Sequence, residues 1–223
     1  MNELAIAIYS CDKNEEVWPV FYHCLNKYWN NHPNIYLLTE TIKCPYMNTI
    51  SLDYDLDHWT TRIRNSLKMI KEKYVIFISD DLFLNDEVNI EKLLKCINIL
   101  ENYIYSGIQF ELSWHENDSD CKYEGFKYKG PNSLYRLSLL CGIWKKDDLI
   151  DVLKNDTDPW TAELNGDNTK EFLQTYNNKI LSWFNDRYGG NGAIRHGKWQ
   201  HGVEDFLKQE GLEVDFSKKG FLD

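Results

Sequence analysis

Three groups of side chains in this sequence have the types and spacing to do chemistry. The first is Ser79-Asp80-Asp81, where a run of apolar residues ends abruptly in two carboxylates. Adjacent acids repel each other, and burying them unpaired is costly. A hard cation resolves both problems, and Mg²⁺ or Mn²⁺ shared with substrate phosphates is the usual one. The same two residues also read as a helix cap followed by a solvated turn acid, and the stretch alone does not separate these readings. The second group is Trp59 with Arg62 and Arg64. A guanidinium beside a bound diphosphate neutralises leaving-group charge, whereas an isolated arginine is more often a surface residue. The third is Glu163, three residues after Trp160. A carboxylate next to an aromatic ring can take the proton from a sugar hydroxyl. In the first turn of a helix it can equally do no more than complement the dipole, worth about 0.3–1 kcal/mol. His196 and His201 lie five apart with Gly197 between them, which is not the spacing of a helical metal pair. The sequence contains no GxGxxG after its first apolar run and no GxxxxGK[ST], against a dinucleotide oxidoreductase and a P-loop NTPase.

These groups need elements to hold them. Tyr74 to Ile78 is a near-continuous apolar, β-branched and aromatic run, the pattern of a strand buried on both faces. In open α/β sheets ligands bind at the carboxyl ends of strands, where Asp80 and Asp81 stand. Leu4 to Tyr9 reads as an earlier strand ending at Ser10-Cys11-Asp12, Ile35 to Thr39 as another, and Thr49 to Leu52 as a weaker one. Val17, Val20, Phe21, Cys24, Leu25 and Tyr28 make a one-face helical stripe. Trp59, Ile63, Leu67 and Ile70 make a second, with Asp57 as its expected N-cap, and Ile90 to Leu100 a third. The second half is less regular. Tyr103 to Phe110 and Tyr135 to Trp144 read as strands, and 115–133 as a surface loop or hairpin with a short strand at Gly125 to Tyr128. Helices are expected at Lys145 to Lys154, from Pro159 onward, and around Val203 to Leu207. Strands alternating with helices predict a doubly wound α/β sheet with helices on both faces.

Composition narrows the function classes. The 223 residues suit one domain, read here as a single unit over 1–223 with a ligand-binding half near 1–112 and an acceptor-side half near 113–223. Aromatics make up 14% of the chain, which argues against disorder and suits stacking on sugar or base rings. A net charge of −10 disfavours nucleic acid as the main partner and offers no polybasic face for an anionic membrane. The six cysteines are scattered with no CxxC pair, so reduced thiols and a cytoplasmic setting are expected, without a leader or membrane span.

In combination the motifs resemble those of a family of small bacterial GT-A glycosyltransferases found among surface-polysaccharide genes. The resemblance rests on Ser10-Cys11-Asp12, Trp18-Pro19, Tyr28-Trp29 and Tyr36-Leu37-Leu38-Thr39. It continues through Trp59-Thr60-Thr61-Arg62-Ile63, Asp80-Asp81-Leu82-Phe83 and Arg136-Leu137-Ser138-Leu139. Ile143-Trp144-Lys145-Lys146, Pro159-Trp160-Thr161-Ala162-Glu163 and Gly197-Lys198-Trp199 complete it, so it spans nearly the whole chain. That family often has Phe-Phe after the acid pair where this chain has Leu82-Phe83, and GT-A enzymes commonly use Asp-x-Asp. Which acid would hold metal is therefore left open.

The resemblance implies a GT-A-like, Rossmann-like mixed sheet and transfer from a nucleotide sugar to a saccharide or lipid-linked saccharide, with inversion. It implies that Ser10, Asp12 and Thr39 line the nucleoside pocket, that Arg62 lies near the diphosphate, and that Asp80 and Asp81 bind Mn²⁺ or Mg²⁺. Glu163 becomes the general base, with Trp144 and Trp160 on the acceptor side. A lipid-linked acceptor would bring the protein to the inner face of the cell membrane. Two other classes stay open: a non-catalytic carbohydrate-binding or assembly protein on the same fold, and a sugar nucleotidyltransferase. The latter usually carries a Gly-rich basic loop after the first strand, where this chain has the acidic Ser10-Cys11-Asp12-Lys13-Asn14-Glu15-Glu16.

Overall fold

A computed structural model describes residues 2–110, 119–131, 133, 135–164, 169–175, 180–185 and 192–222. The chain divides into two compact units interleaved along the sequence. The first comprises Met1–Asp12, Pro33–Ser79 and Asn89–Ile180, and the second Lys13–His32, Asp80–Val88 and Leu181–Asp223.

The first unit is built on a sheet of β1 (Leu4–Tyr9), β2 (Asn34–Thr39), β3 (Asn48–Ser51), β4 (Tyr74–Ser79), β5 (Tyr105–Gln109), β6 (Ser119–Asp120), β7 (Phe126–Lys129), β8 (Cys141–Lys145) and β9 (Glu171–Thr175). The strand order is β3-β2-β1-β4-β8-β5-β9-β7-β6. β3, β2, β1 and β4 run parallel, β8 enters antiparallel between β4 and β5, and β9 returns parallel to β5. From β1 the order proceeds outward to β2 and β3 on one side and to β4 on the other. The topological switch point therefore lies between the carboxyl ends of β1 and β4, where Tyr9 and Ser79 are partners.

Alternation along the strands sets the two faces. Ala5, Val75, Trp144, Gly107 and Phe172 form one transverse row, and Ile6, Ile76, Ile143, Ile108 and Leu173 the next, facing the other way. The first row belongs to a cluster with Trp59, Ile63 and Leu67 of α2 (Trp59–Met69), Leu149 and Val152 of α4 (Lys146–Val152) and Ala162 of α5 (Pro159–Leu164). On the other face lies α3 (Ile90–Asn102), whose Leu93, Cys96, Ile99 and Leu100 are buried. Asn89 caps α3 by accepting the Lys92 amide at 3.0 Å. Gly107 makes room for the Trp144 indole, since a Cβ there would come within 2.2 Å of the ring.

In the sheet unit, α2, the strand after Tyr135 and β9 differ from the sequence expectation. Asp57 does not cap α2. Asp55 instead accepts the His58 amide at 3.1 Å and opens a short 3₁₀ turn, Leu56–His58, that leads into the helix. The apolar run from Tyr135 joins the sheet only from Cys141, because Tyr135 sits at φ 48° and the segment after it turns. β9 has no counterpart in the periodicity, because it buries Gln174 and Thr175 along with Phe172 and Leu173.

The second unit holds α1 (Trp18–Tyr28), α6 (Val203–Glu210) and the hairpin of β10 (Ile194–Arg195) and β11 (Lys198–Trp199). His196 at φ 50° and Gly197 at φ 75° make the two-residue turn of that hairpin, whose twist requires left-handed residues. Its core is aromatic. Phe206 stacks on Phe83 at 6.2 Å and contacts Phe184 at 5.2 Å, while Trp199 meets Phe216 edge-on at 5.5 Å. Among the described residues no helix is long and apolar enough to cross a membrane.

Candidate active site

β1 and β2 deliver Ser10, Asp12 and Thr39 to one end of the sheet. Their neighbours are mostly main chain. The Ser10 amide donates to the Leu38 carbonyl at 3.0 Å. Thr39 is fully buried, with its hydroxyl donating to the Ile42 carbonyl at 2.7 Å and lying 2.9 Å from the Ser51 hydroxyl. Asp12 accepts from the Thr41 and Ile42 amides, each at 3.1 Å, and from the Thr41 hydroxyl at 2.5 Å. Burial alone would push its carboxyl up. The Thr41 and Ile42 donors outweigh that and hold it below the usual carboxylate range. In return the Asp12 amide donates to Glu40 Oε2 at 2.8 Å. The loops after β1 and β2 are thus stitched to each other.

Arg62 reaches the same place from α2. Only 1% exposed, it donates through Nη2 to the Ser10 carbonyl at 2.8 Å and through Nη1 to the Leu38 carbonyl at 3.2 Å. A guanidinium fork matches two such acceptors, and a charged donor makes each bond stronger than a neutral one. Arg62 is a clamp on the two strand ends.

α5 carries Trp160 and Glu163. Asp158 starts the helix, accepting the Trp160 and Thr161 amides at 2.9 and 3.0 Å and the Thr161 hydroxyl at 2.6 Å. Those bonds, the hydroxyl's first, depress its carboxyl. Glu163 is half-buried and accepts the Leu139 amide at 2.7 Å, while Trp160, one turn earlier, is 64% exposed. This contact joins two segments noted in the sequence, Leu137-Ser138-Leu139 and Pro159-Trp160-Thr161-Ala162-Glu163.

Trp144 is elsewhere. It is fully buried in the sheet core, edge-on to Phe172 at 5.5 Å. The acceptor contact expected of Trp144 is corrected to a packing role, because an indole without exposed surface has no face to offer a ligand.

In the second unit the two acids part company. Asp80 accepts the Asn14 side-chain amide at 3.2 Å. Asp81 Oδ2 accepts the Ile194 amide at 3.1 Å, and its carbonyl accepts the Ala193 amide at 3.0 Å. Gly192, at φ 80°, packs so close that a Cβ would lie 2.3 Å from Asp81 Oδ2. Asp81 therefore pins the segment leading into β10. Each acid thus has one carboxylate oxygen engaged, Asp80 Oδ1 by the Asn14 side chain and Asp81 Oδ2 by the main chain, and carboxylate oxygens are the ligands a hard cation takes together with phosphate and water. Among the described residues no three His, Cys, Asp or Glu side chains gather as a metal cluster. A thiol nucleophile finds no support in Cys24 and Cys96, whose thiols burial pushes up to about 12, nor in Cys141, raised further by the same cause.

Neither a protein-family model nor the sequence of a curated protein matches the chain. Solved structures do match. S. aureus TarS 1-349 in complex with UDP-GlcNAc aligns over 97% of this chain and 68% of its own, with a TM-score of 0.52 at 13% identity. The chain has the GT-A-like, Rossmann-like fold of TarS. A longer S. aureus TarS chain matches at TM-score 0.49 and 11% identity, and this chain spans 41% of its length. CMP:2-keto-3-deoxy-manno-octonic acid synthetase complexed with CTP matches at TM-score 0.49 and 12% identity, over 78% of this chain and 89% of the other. In this fold Ser10, Asp12 and Thr39 stand at the β1 and β2 strand ends beside the switch point, and Arg62 reaches them from α2.

Proposed function

We infer that the protein is a nucleotide-sugar-dependent glycosyltransferase, acting on a saccharide or lipid-linked saccharide acceptor. The observation that carries this reading is the set of Ser10, Asp12 and Thr39 at the carboxyl ends of parallel strands beside a topological switch point, held by Arg62 from α2. In open α/β sheets that is where nucleotides bind. TarS 1-349, which shares the fold, is solved in complex with UDP-GlcNAc. The bacterial surface-polysaccharide setting rests on the motif resemblance, and a lipid-linked acceptor would bring the protein to the inner face of the membrane.

The residues divide the work. Ser10 stands at the nucleoside end, the buried Thr39 supports it from within through Ile42 and Ser51, and Asp12 holds the loops around it through Thr41 and Ile42. Arg62 fixes the strand ends and so positions the donor. Asp80, with Asp81 beside it, would hold Mg²⁺ or Mn²⁺, which when bound neutralises charge on the departing nucleoside diphosphate. Glu163 takes the proton from the acceptor hydroxyl as that oxygen attacks the anomeric carbon and the bond to the diphosphate oxygen breaks. One displacement with one base inverts the anomeric centre. Trp160, exposed and one turn from Glu163, offers a ring for the acceptor to stack on.

Glu163→Gln tests the assignment. The amide oxygen can still accept from Leu139, so the fold and donor binding are expected to survive. Transfer should fall roughly 10²–10⁴-fold, the usual contribution of a general base. Unchanged turnover would remove Glu163 from the mechanism, and absence of transfer by wild-type protein across nucleotide sugars that bind it would favour a non-catalytic binding protein.

A further inference from the structure

A cavity of about 170 Å³ opens beside α5. Its walls include Asn155, Asp156, Thr157 and Thr161, and Val152 and Ala162 give it an apolar side. A cavity of that size suits a small polar ligand such as one monosaccharide ring.

The lining has the chemistry of such a ring. A pyranose presents hydroxyls around its edge and C–H groups on its faces. Asn155 and Asp156 are exposed neighbours, an amide that both donates and accepts beside a carboxylate that accepts, which suits a pair of vicinal hydroxyls. Thr157 and Thr161 add two hydroxyl oxygens that can accept, their protons being donated to Asp158. Val152 and Ala162 are buried members of the sheet core and offer the C–H face a dry contact.

The walls are also fixed in advance. The Thr60 hydroxyl donates to the Asn155 carbonyl at 2.5 Å and accepts from the Thr157 amide at 3.1 Å. The Thr60 amide donates to the Thr157 carbonyl at 3.1 Å, so the 155–157 turn is tied to the start of α2 at three points. The Asp156 carboxylate is oriented by a hydrogen bond from the Thr61 hydroxyl, with Arg64 at 3.8 Å. A pre-organised wall loses little freedom on binding. Thr161 and Ala162 precede Glu163 on the same short helix.

We propose that this cavity is a saccharide subsite that seats one ring of the acceptor, with Asn155 and Asp156 as its specificity-determining side chains. The proposal rests on the glycosyltransferase reading and adds to it where the acceptor binds. The test is saturation-transfer NMR on the full chain with a panel of free monosaccharides and their methyl glycosides, run beside a UDP titration. At least one sugar should show transfer to its ring protons. Asn155→Ala and Asp156→Ala should weaken that signal at least about tenfold while leaving thermal unfolding and UDP binding unchanged. Ala162→Leu, which narrows the cavity from its apolar side, should abolish it. Sugar signals that persist in all three variants, or no sugar signal from protein that binds UDP, would overturn the subsite and leave the transferase reading standing. A sugar signal lost in the variants, from protein that does not bind UDP, would support the subsite and overturn a UDP-sugar donor.

Discussion

The Arg62 guanidinium illustrates how far a side chain's surroundings redefine it. Read from spacing, Arg62 is a cation for a diphosphate. In the fold it is buried and faces the carbonyls of Ser10 and Leu38. Arg62→Ala would leave both carbonyls short of a charged donor in a buried place and open a void beneath two strand ends. The expected cost is about 2–5 kcal/mol. Urea unfolding should show it as a lower midpoint with an unchanged slope. A variant with the wild-type midpoint would mean the clamp contributes nothing. The same scale explains what the sequence revealed and what it hid. Acids at strand ends are visible because the apolar run before them is visible. Their partners are not, since Asp81 meets Ile194 across 113 positions and Asp80 meets Asn14 across 66. Gly192 follows Gly189 and Gly190 in the sequence, and only the closeness of Asp81 shows why a side chain is excluded at 192.

Elements were legible in proportion to their apolar regularity. β1, β4, α2 and α3 lie within a residue or two of where periodicity places them, because each strand buries both faces and each helix buries one regular apolar stripe. β9, β10 and β11 escaped for physical reasons: the first buries polar side chains, and the other two are only two residues long. α6 is anchored to α1 by a contact with no sequence signal. The Glu210 carboxylate accepts from Lys27 and from the Tyr28 hydroxyl, both at 2.7 Å. Burial pushes this carboxyl up, and the Lys27 and Tyr28 donors more than offset it, leaving it below its ordinary 4.5. A carboxyl depressed by folding adds stability that is complete above its unfolded value and is lost as pH falls through the folded one. Wild type should therefore exceed Glu210→Gln in melting temperature from pH 7 down to about pH 5. The margin should close below that as the carboxylate is protonated. Parallel curves down to pH 3 would show that shape, not charge, makes the link.

At the scale of the whole molecule, the sheet fixes where a ligand's effect should be sought. β1 and β4 end side by side, with Tyr9 paired to Ser79. Nucleotides bind this class of sheet at that switch point. A ligand held at those strand ends binds the native state alone and raises its stability by about 2.7 kcal/mol at a hundredfold excess over its dissociation constant. For a chain of this length that is a rise of roughly 5–10 °C in melting temperature. A screen of nucleoside diphosphates and nucleotide sugars, each with and without Mn²⁺ or Mg²⁺, should find one base that gives such a shift. A shift that requires the cation, and is lost in Asp80→Asn with the cation present, would place the metal at Asp80. An equal shift in the presence of chelator would leave the transferase and take Asp80 and Asp81 out of any metal role, consistent with the hold Asp81 already has on Ile194. Folded protein that responds to no nucleotide would mean that the strand-end residues serve something other than a donor, and the case for a carbohydrate-binding protein would then rest on the cavity beside α5.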